Sequence, residues 1–178
     1  MLRWKSCSPV AVALVLLLLS QSSADVWAQA AMPTPQELDQ LLAPIALYPD
    51  ALIAQITAAS TNPQEILDVD GWLQQNGGLS GDALANAAQQ QGFDPPFLAL
   101  VSFPQVLNMM AQNIDDYAAI GTAFSSNQGM VMDSIQRLRA QAYASGALRS
   151  TSQLQVVQQS PQVIVIQPAN PQVVYVPQ

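Results

Sequence analysis

From residue 34 to residue 145 the apolar positions recur at three- and four-residue spacing, the period that lines one face of a helix. Thr34-Pro35-Gln36-Glu37 reads as a helix start. Thr34 can cap, Pro35 fits the first helical position, and Glu37 sits where a capping box needs it. Leu38, Leu41, Leu42 and Ile45 then fall on one face. Pro44 lacks an N–H and clashes with the carbonyl four residues back, so the helix must bend or stop there. Pro49-Asp50 restarts it, with Leu52, Ile53 and Ile56 as the next buried face and Asp50 at the end that the helix dipole makes favourable for an acid. The stretch 41–60, LLAPIALYPDALIAQITAAS, has the length of a membrane span but carries two prolines and an aspartate. An acid there is costly in a bilayer. The stretch reads as soluble core in two helical pieces, broken over 43–48.

The same grammar repeats. Asn62-Pro63-Gln64-Glu65 opens a helix that buries Ile66, Val69, Trp72 and Leu73 and stops at Gly77-Gly78. Ser80 can cap a small-residue helix through 91, stopped by Gly92. Asp94-Pro95-Pro96 opens a short helix to 101, and Phe103-Pro104 another to 113. A helix over 115–125 follows, with Asp115 or Asp116 as its cap. The longest runs over 128–145 and stops at Gly146. Its Val131, Ile135, Leu138 and Ala142 step by four, three and four, and Asp133 and Arg137 make an i,i+4 pair on the outer side. Prolines 35, 49 and 63 fall fourteen residues apart, too short a period and too few occurrences for a recognised repeat array. The expected fold is mainly α, a compact irregular bundle of about six to eight short helices.

Beyond residue 148 the period changes. QLQVVQQ (153–159), QVIVIQ (162–167) and QVVYV (172–176) are β-branched runs punctuated by Pro161, Pro168, Pro171 and Pro177. Residues 149–178 therefore read as a β-prone C-terminal arm of two or three short strands. Unpaired strand edges can accept a further strand, so Val163, Val165, Val173 and Tyr175 are the candidate strand-addition positions.

The first thirty residues stand apart from both patterns. Arg3 and Lys5 precede the apolar run VAVALVLLLL (10–19), and Ala28-Gln29-Ala30 fits the small-residue cleavage pattern, which places cutting between Ala30 and Ala31, with Ser22-Ser23-Ala24 as the weaker alternative. The alternative is an uncleaved membrane anchor, for which the run is short. Cys7 precedes the apolar run and so is not placed for lipid attachment. The domain reading is a signal peptide over 1–30, a helical domain over 31–148, and the arm.

Charge narrows the chemistry. Only 10% of the chain is charged, against about a quarter in typical globular domains. Beyond residue 30 there is no Cys, His or Lys, and eleven acids face three arginines, Arg137, Arg139 and Arg149. That balance argues against nucleic acid and anionic lipid as partners, because both require clustered positive charge. It also removes Cys- and His-based triads, Schiff-base lysines and the usual zinc ligands, so no metal and no cofactor is expected. Carboxylates remain. Asp68-Val69-Asp70-Gly71 resembles part of a calcium loop, but placing Gly71 at the loop glycine puts Ile66 and Gly77 where acids belong. These read as exposed acids beside a helix bend. Asp115-Asp116 are adjacent on a helix and cannot aim at one reacting atom. The three arginines read as helix-end and pair electrostatics, with Arg137 and Arg139 facing different ways; a dock for an acidic partner is the sharper alternative.

Several blocks carry a family resemblance: LDQLLAPIALYPDALIAQITAAS (38–60), DGWL at Trp72, FDPPFLALVSFPQVLNMMAQNIDDYAAIGTAF (93–124), MDSIQRLRAQAYASGAL (132–148) and IQPANPQVVYVP (166–177). Together they resemble the DUF3300 family of exported bacterial proteins of unassigned function. The resemblance implies a Gram-negative envelope protein and supplies no catalytic residues. Relatives in that family are described as membrane-associated and commonly continue past the VYVP block into a Tyr/Pro-rich tail.

The expected function is that of a non-enzymatic protein, exported to the periplasm or cell envelope. It acts through the C-terminal arm on another envelope protein or on a second copy of itself, and meets the membrane only through an uncleaved N-terminal segment. The alternative is a small-ligand binder or carboxylate-based hydrolase using Asp50, Asp68, Asp70, Asp115 or Asp116. That alternative needs two acids converging within about 5–10 Å.

Overall fold

The computed structural model describes residues 32–170. Among these residues the chain forms eight helices and one two-stranded sheet. The helices are α1 (Pro35–Leu42), α2 (Asp50–Ala59), α3 (Pro63–Gln75), α4 (Gly81–Gln89), α5 (Pro95–Leu100), α6 (Pro104–Gln112), α7 (Ile114–Ser126) and α8 (Gln128–Ala144). The strands are β1 (Leu154–Ser160) and β2 (Val163–Pro168), paired antiparallel. The mainly α fold with a β-forming arm is as the periodicity predicts. A third strand over 172–176 and the cleavage site at Ala30 and Ala31 lie outside the described residues.

Proline and polar caps set the helix starts. At α1 the capping box is complete: Thr34 Oγ1 accepts from the Glu37 N–H at 3.3 Å, and Glu37 Oε2 accepts from the Thr34 N–H at 2.8 Å. Those bonds from Thr34 hold the Glu37 carboxyl below its ordinary pKa. Asn62 caps α3 through its side chain alone, Oδ1 accepting from the Glu65 N–H at 3.4 Å. Glu65 adds a second tie, accepting from the Asp94 N–H at 2.7 Å and so joining the start of α3 to the start of α5. Gly92 and Gly146, at φ +78 and +76, take the left-handed conformation that ends α4 and α8.

Three local expectations fail. Ser80 stands before α4, but its side chain makes no capping bond. Asp115 and Asp116 are not caps; they lie inside the first turn of α7, because α6 and α7 abut across Asn113 alone. The Asn113 amide is itself turned back to the Met109 carbonyl at 2.8 Å. Finally, α3 runs unbroken through Gly71, so Asp68 and Asp70 sit on one straight helix, with Asp68 exposed and Asp70 buried.

The main core is one cluster drawn from every helix, including Leu38, Ile56, Ile66, Phe97, Leu107 and Ile120. Helix α7 is its axis, packing against α1, α2, α3, α6 and α8. Trp72 and Phe93 meet edge to face at its margin, with ring centroids 5.6 Å apart. Tyr48 and Tyr117 are buried in the same cluster. Burial raises both phenol pKa values, with the neighbouring phenol and Asp116 adding to the effect on Tyr117.

That burial has a pH consequence. Both phenols ionise less readily in the folded chain than in the unfolded one. Their contribution is complete below the ordinary phenol value of 10.0 and is lost as pH rises beyond it. In an alkaline titration followed by phenolate absorbance and helical circular dichroism, Tyr48 and Tyr117 are expected to ionise together with loss of helix. Complete phenolate formation near pH 10 with the helix signal intact would contradict their burial.

Candidate functional site

The hairpin is built from the polar and apolar alternation of its two runs. Leu154, Val156, Ile164 and Ile166 point one way and join Leu148, Leu47 and Ala142 in a second small core against the helical body. Gln155, Val157, Gln159, Val163, Val165 and Gln167 alternate with them and face outward. Val157 pairs with Val165 across the strands, and the register slips between Gln158 and Ser160.

A two-stranded hairpin is marginal alone. This one is held by polar side chains from α2 and α8. Arg139, only 2% exposed, reaches from α8 into the angle between α1, α2 and β2. Its Nε donates to the Ala46 carbonyl at 2.8 Å and its Nη2 to the Tyr48 carbonyl at 3.0 Å. Its Nη1 donates to the Ile164 carbonyl at 2.8 Å and pairs with Asp50 Oδ1 at 2.6 Å. One guanidinium thereby ties the α1–α2 connection, the first residue of α2 and the second residue of β2. A planar fork with five donors suits that task, and a lysine would not. Gln136, one turn earlier, imitates a neighbouring strand: its Oε1 accepts from the Ile164 N–H at 2.8 Å and its Nε2 donates to the Ile164 carbonyl at 3.3 Å. Asp50 Oδ1 also accepts from the Ile166 N–H at 3.4 Å.

The outer edge of β1 is closed as well. Ser150 Oγ accepts from the Val156 N–H at 3.0 Å and donates to the Val156 carbonyl at 3.3 Å. Thr151 bonds both backbone groups of Leu154, through its hydroxyl and its N–H. The premise that the QVIVIQ run is left unpaired is therefore corrected. It pairs with β1 on one side and with Gln136, Arg139 and Asp50 on the other, because α8 runs alongside it. Val163 and Val165 turn their side chains outward, Val163 at 38% exposure and Val165 half-buried. Val173 and Tyr175 lie outside the described residues.

The acids are dispersed. Asp50 is bound to Arg139. Asp68 is exposed and accepts from Gln64. Asp70 is buried between α3 and α6, accepting from Gln74 Nε2 at 2.7 Å and Asn108 Nδ2 at 3.5 Å. Asp115 and Asp116 are exposed. Among the described residues no three His, Cys, Asp or Glu side chains come together as metal ligands would. Arg137 does not close on Asp133 as its spacing predicts. It pairs with Asp39 of α1 at 2.6 Å, where Ser134 also donates to Asp39. The Arg137 guanidinium holds the Asp39 carboxyl below its usual range, and the pair raises Arg137 in turn. Both members are partly exposed, so the bond is worth about 0–1 kcal/mol.

Charge counting alone misses the role of Arg139. The signal is positional: Arg139 follows the core residue Ile135 by four, which puts it at the margin of the buried face of α8 and not on its solvent side.

No helix among the described residues is long and apolar enough to cross a membrane. The family described as "Protein of unknown function (DUF3300)" matches residues 34–178. A relative from Escherichia coli strain K12, described as "Uncharacterized protein YacH", is 34% identical over 172 residues, covering 79% of this chain and 28% of the relative. The chain thus spans under a third of that relative's length. No solved structure matches. With the match covering the whole helical body and the arm, the chain belongs to the DUF3300 family of proteins of unknown function.

Proposed function

We propose that this protein is an exported, non-catalytic interaction module of the bacterial cell envelope, in which the helical body presents the C-terminal hairpin to a partner protein. The observation that carries the reading is the construction of the hairpin. It is pinned to the body by Arg139, Gln136 and Asp50, its strand edges are occupied by side chains, and its outward face offers Val157, Val163 and Val165 among glutamines. Residues 150–170 contain no charged side chain in a chain of formal charge −7, so a second protein meets no like-charge repulsion from this segment itself. Engagement through the face of the hairpin replaces strand addition as the mode of contact, because the middle of each edge is taken. Export is supported by the charged start and apolar run of the first thirty residues.

The reading is tested in living cells with a photo-crosslinking residue placed at Val157 or Val163, and at Asp68 on α3 as a control. A discrete adduct from both hairpin positions and not from Asp68, with the uncrosslinked protein beginning at Ala31 by intact mass, is the expected result. Identical adducts from all three positions, or none from the hairpin, would overturn the hairpin as the contact. A full-length species confined to membranes would overturn the soluble export reading.

A further inference from the structure

Two of the three arginines in the described chain are used internally: Arg137 on Asp39 and Arg139 on Asp50. Arg149 is not. Among the described residues it makes no hydrogen bond and no ion pair. It lies in an open cleft of about 430 Å³ between the end of α8 and the outer side of β1, lined by Tyr143, Gly146, Leu148, Arg149, Ser150 and Val156. No acid lines this cleft, although acids outnumber basic residues more than two to one in the chain.

The walls are built from particular residues. Gly146 ends α8 at φ +76, and a Cβ there would come 2.6 Å from Arg149 Nη2. The guanidinium thus occupies space that a larger residue would contest. Ser150 is fully engaged with the Val156 backbone and fixes the wall without offering a free donor. Leu148 is buried and Val156 half-buried, forming an apolar floor, and Tyr143 stands over the cleft at 44% exposure. An uncommitted guanidinium beside an aromatic ring and an apolar floor matches a carboxylate carried on an apolar stem. The carboxylate accepts two parallel N–H bonds, and the stem covers the phenol and the aliphatic wall.

We propose that this cleft binds a single carboxylate with an apolar or aromatic stem. The chain's net charge disfavours polyanions, and one cation cannot hold the several phosphates of a nucleic acid or the headgroups of an anionic membrane. A monoanion meets the local positive charge at little long-range cost.

The test is an amide-resolved NMR titration of the full chain with 3-phenylpropionate, with 3-phenylpropionamide, and with inorganic phosphate. The acid is expected to shift the amides of Tyr143, Gly146, Arg149 and Ser150 in a saturable way, with the amide and phosphate each at least about tenfold weaker. Arg149→Gln is expected to abolish those shifts. Arg149 is exposed and bonds nothing among the described residues, so the variant should keep the wild-type spectrum elsewhere. No saturable shift with the acid overturns the site, as does equal binding of acid and amide. Phosphate binding as tightly as the acid overturns the need for an apolar stem. Binding that survives in Arg149→Gln overturns the role of the guanidinium.

Discussion

Replacing Arg139 with methionine is expected to destabilise the folded chain by about 2–5 kcal/mol, at about 1–3 kcal/mol for each buried carbonyl left without a donor. The Coulombic share is limited, because the Asp50 side chain is 43% exposed and water screens it. Most of the loss comes from the carbonyls of Ala46 and Tyr48, which lose their donor where water has little access, while the Ile164 carbonyl keeps the Gln136 amide. Methionine keeps much of the volume, so cavity formation contributes little. Arg139→Lys is expected to recover only part of the loss, since an ammonium cannot span three carbonyls on different elements. Asp50→Asn keeps the carbonyl bonds but leaves the buried guanidinium without its counter-charge, so it should cost about 1–3 kcal/mol. Urea denaturation followed by circular dichroism gives the magnitudes. Hydrogen exchange gives the location: the Ile164 and Ile166 amides should lose protection before those of α3 and α6. An Arg139→Met variant with an unchanged midpoint and protected hairpin amides would mean that the small core around Leu148 and Ile164, with Gln136 and Asp50, holds the hairpin without the guanidinium.

Most of the fold is legible in the sequence, because its devices are local. Thr34 with Glu37, Asn62 with Glu65, Pro44 and Gly146 each act within four or five residues. The helix boundaries they set therefore appear in the sequence within a residue or two of their final places. The misreadings share one physical origin. Arg137 spaced four from Asp133 reads as a pair within one helix, yet Asp39 comes from α1, nearly a hundred residues away, and no period predicts it. Asp70 looks exposed until α6 brings Asn108 against it. The QVIVIQ run looks like a free edge until α8 lies along it and lends Gln136 and Arg139. The candidate sites depend on such side-chain to backbone ties between distant segments. Sequence spacing carries no information about them beyond the position of Arg139 at the margin of an apolar face.

Gly121→Ala is expected to destabilise the chain by about 2–3 kcal/mol, at the upper end of the usual cost of overpacking a core. Gly121 lies buried in α7 where that helix crosses the end of α2. A Cβ at this position would stand 1.8 Å from the Ser60 carbonyl oxygen and 2.3 Å from its carbon, against 3.4 Å or more for ordinary contact. Only a hydrogen fits in that direction. The obstructing atoms are backbone, so no rotamer change relieves them. Helix α7 would have to withdraw from α2, and because α7 also packs on α1, α3, α6 and α8, the withdrawal would loosen the whole core. Alanine's better helix propensity, about 1 kcal/mol over glycine, works in the opposite direction and is too small to win. Gly71 provides the control that isolates these two effects. It lies in the middle of α3, with nothing within 4 Å of the place an alanine methyl would take. Gly71→Ala should therefore gain stability by about 0.5–1 kcal/mol through propensity alone. Thermal and urea melts of the two variants should shift in opposite directions. A stabilising Gly121→Ala would show that α7 and α2 are farther apart than this close crossing requires, and the placement of α7 at the centre of the bundle would have to be revised.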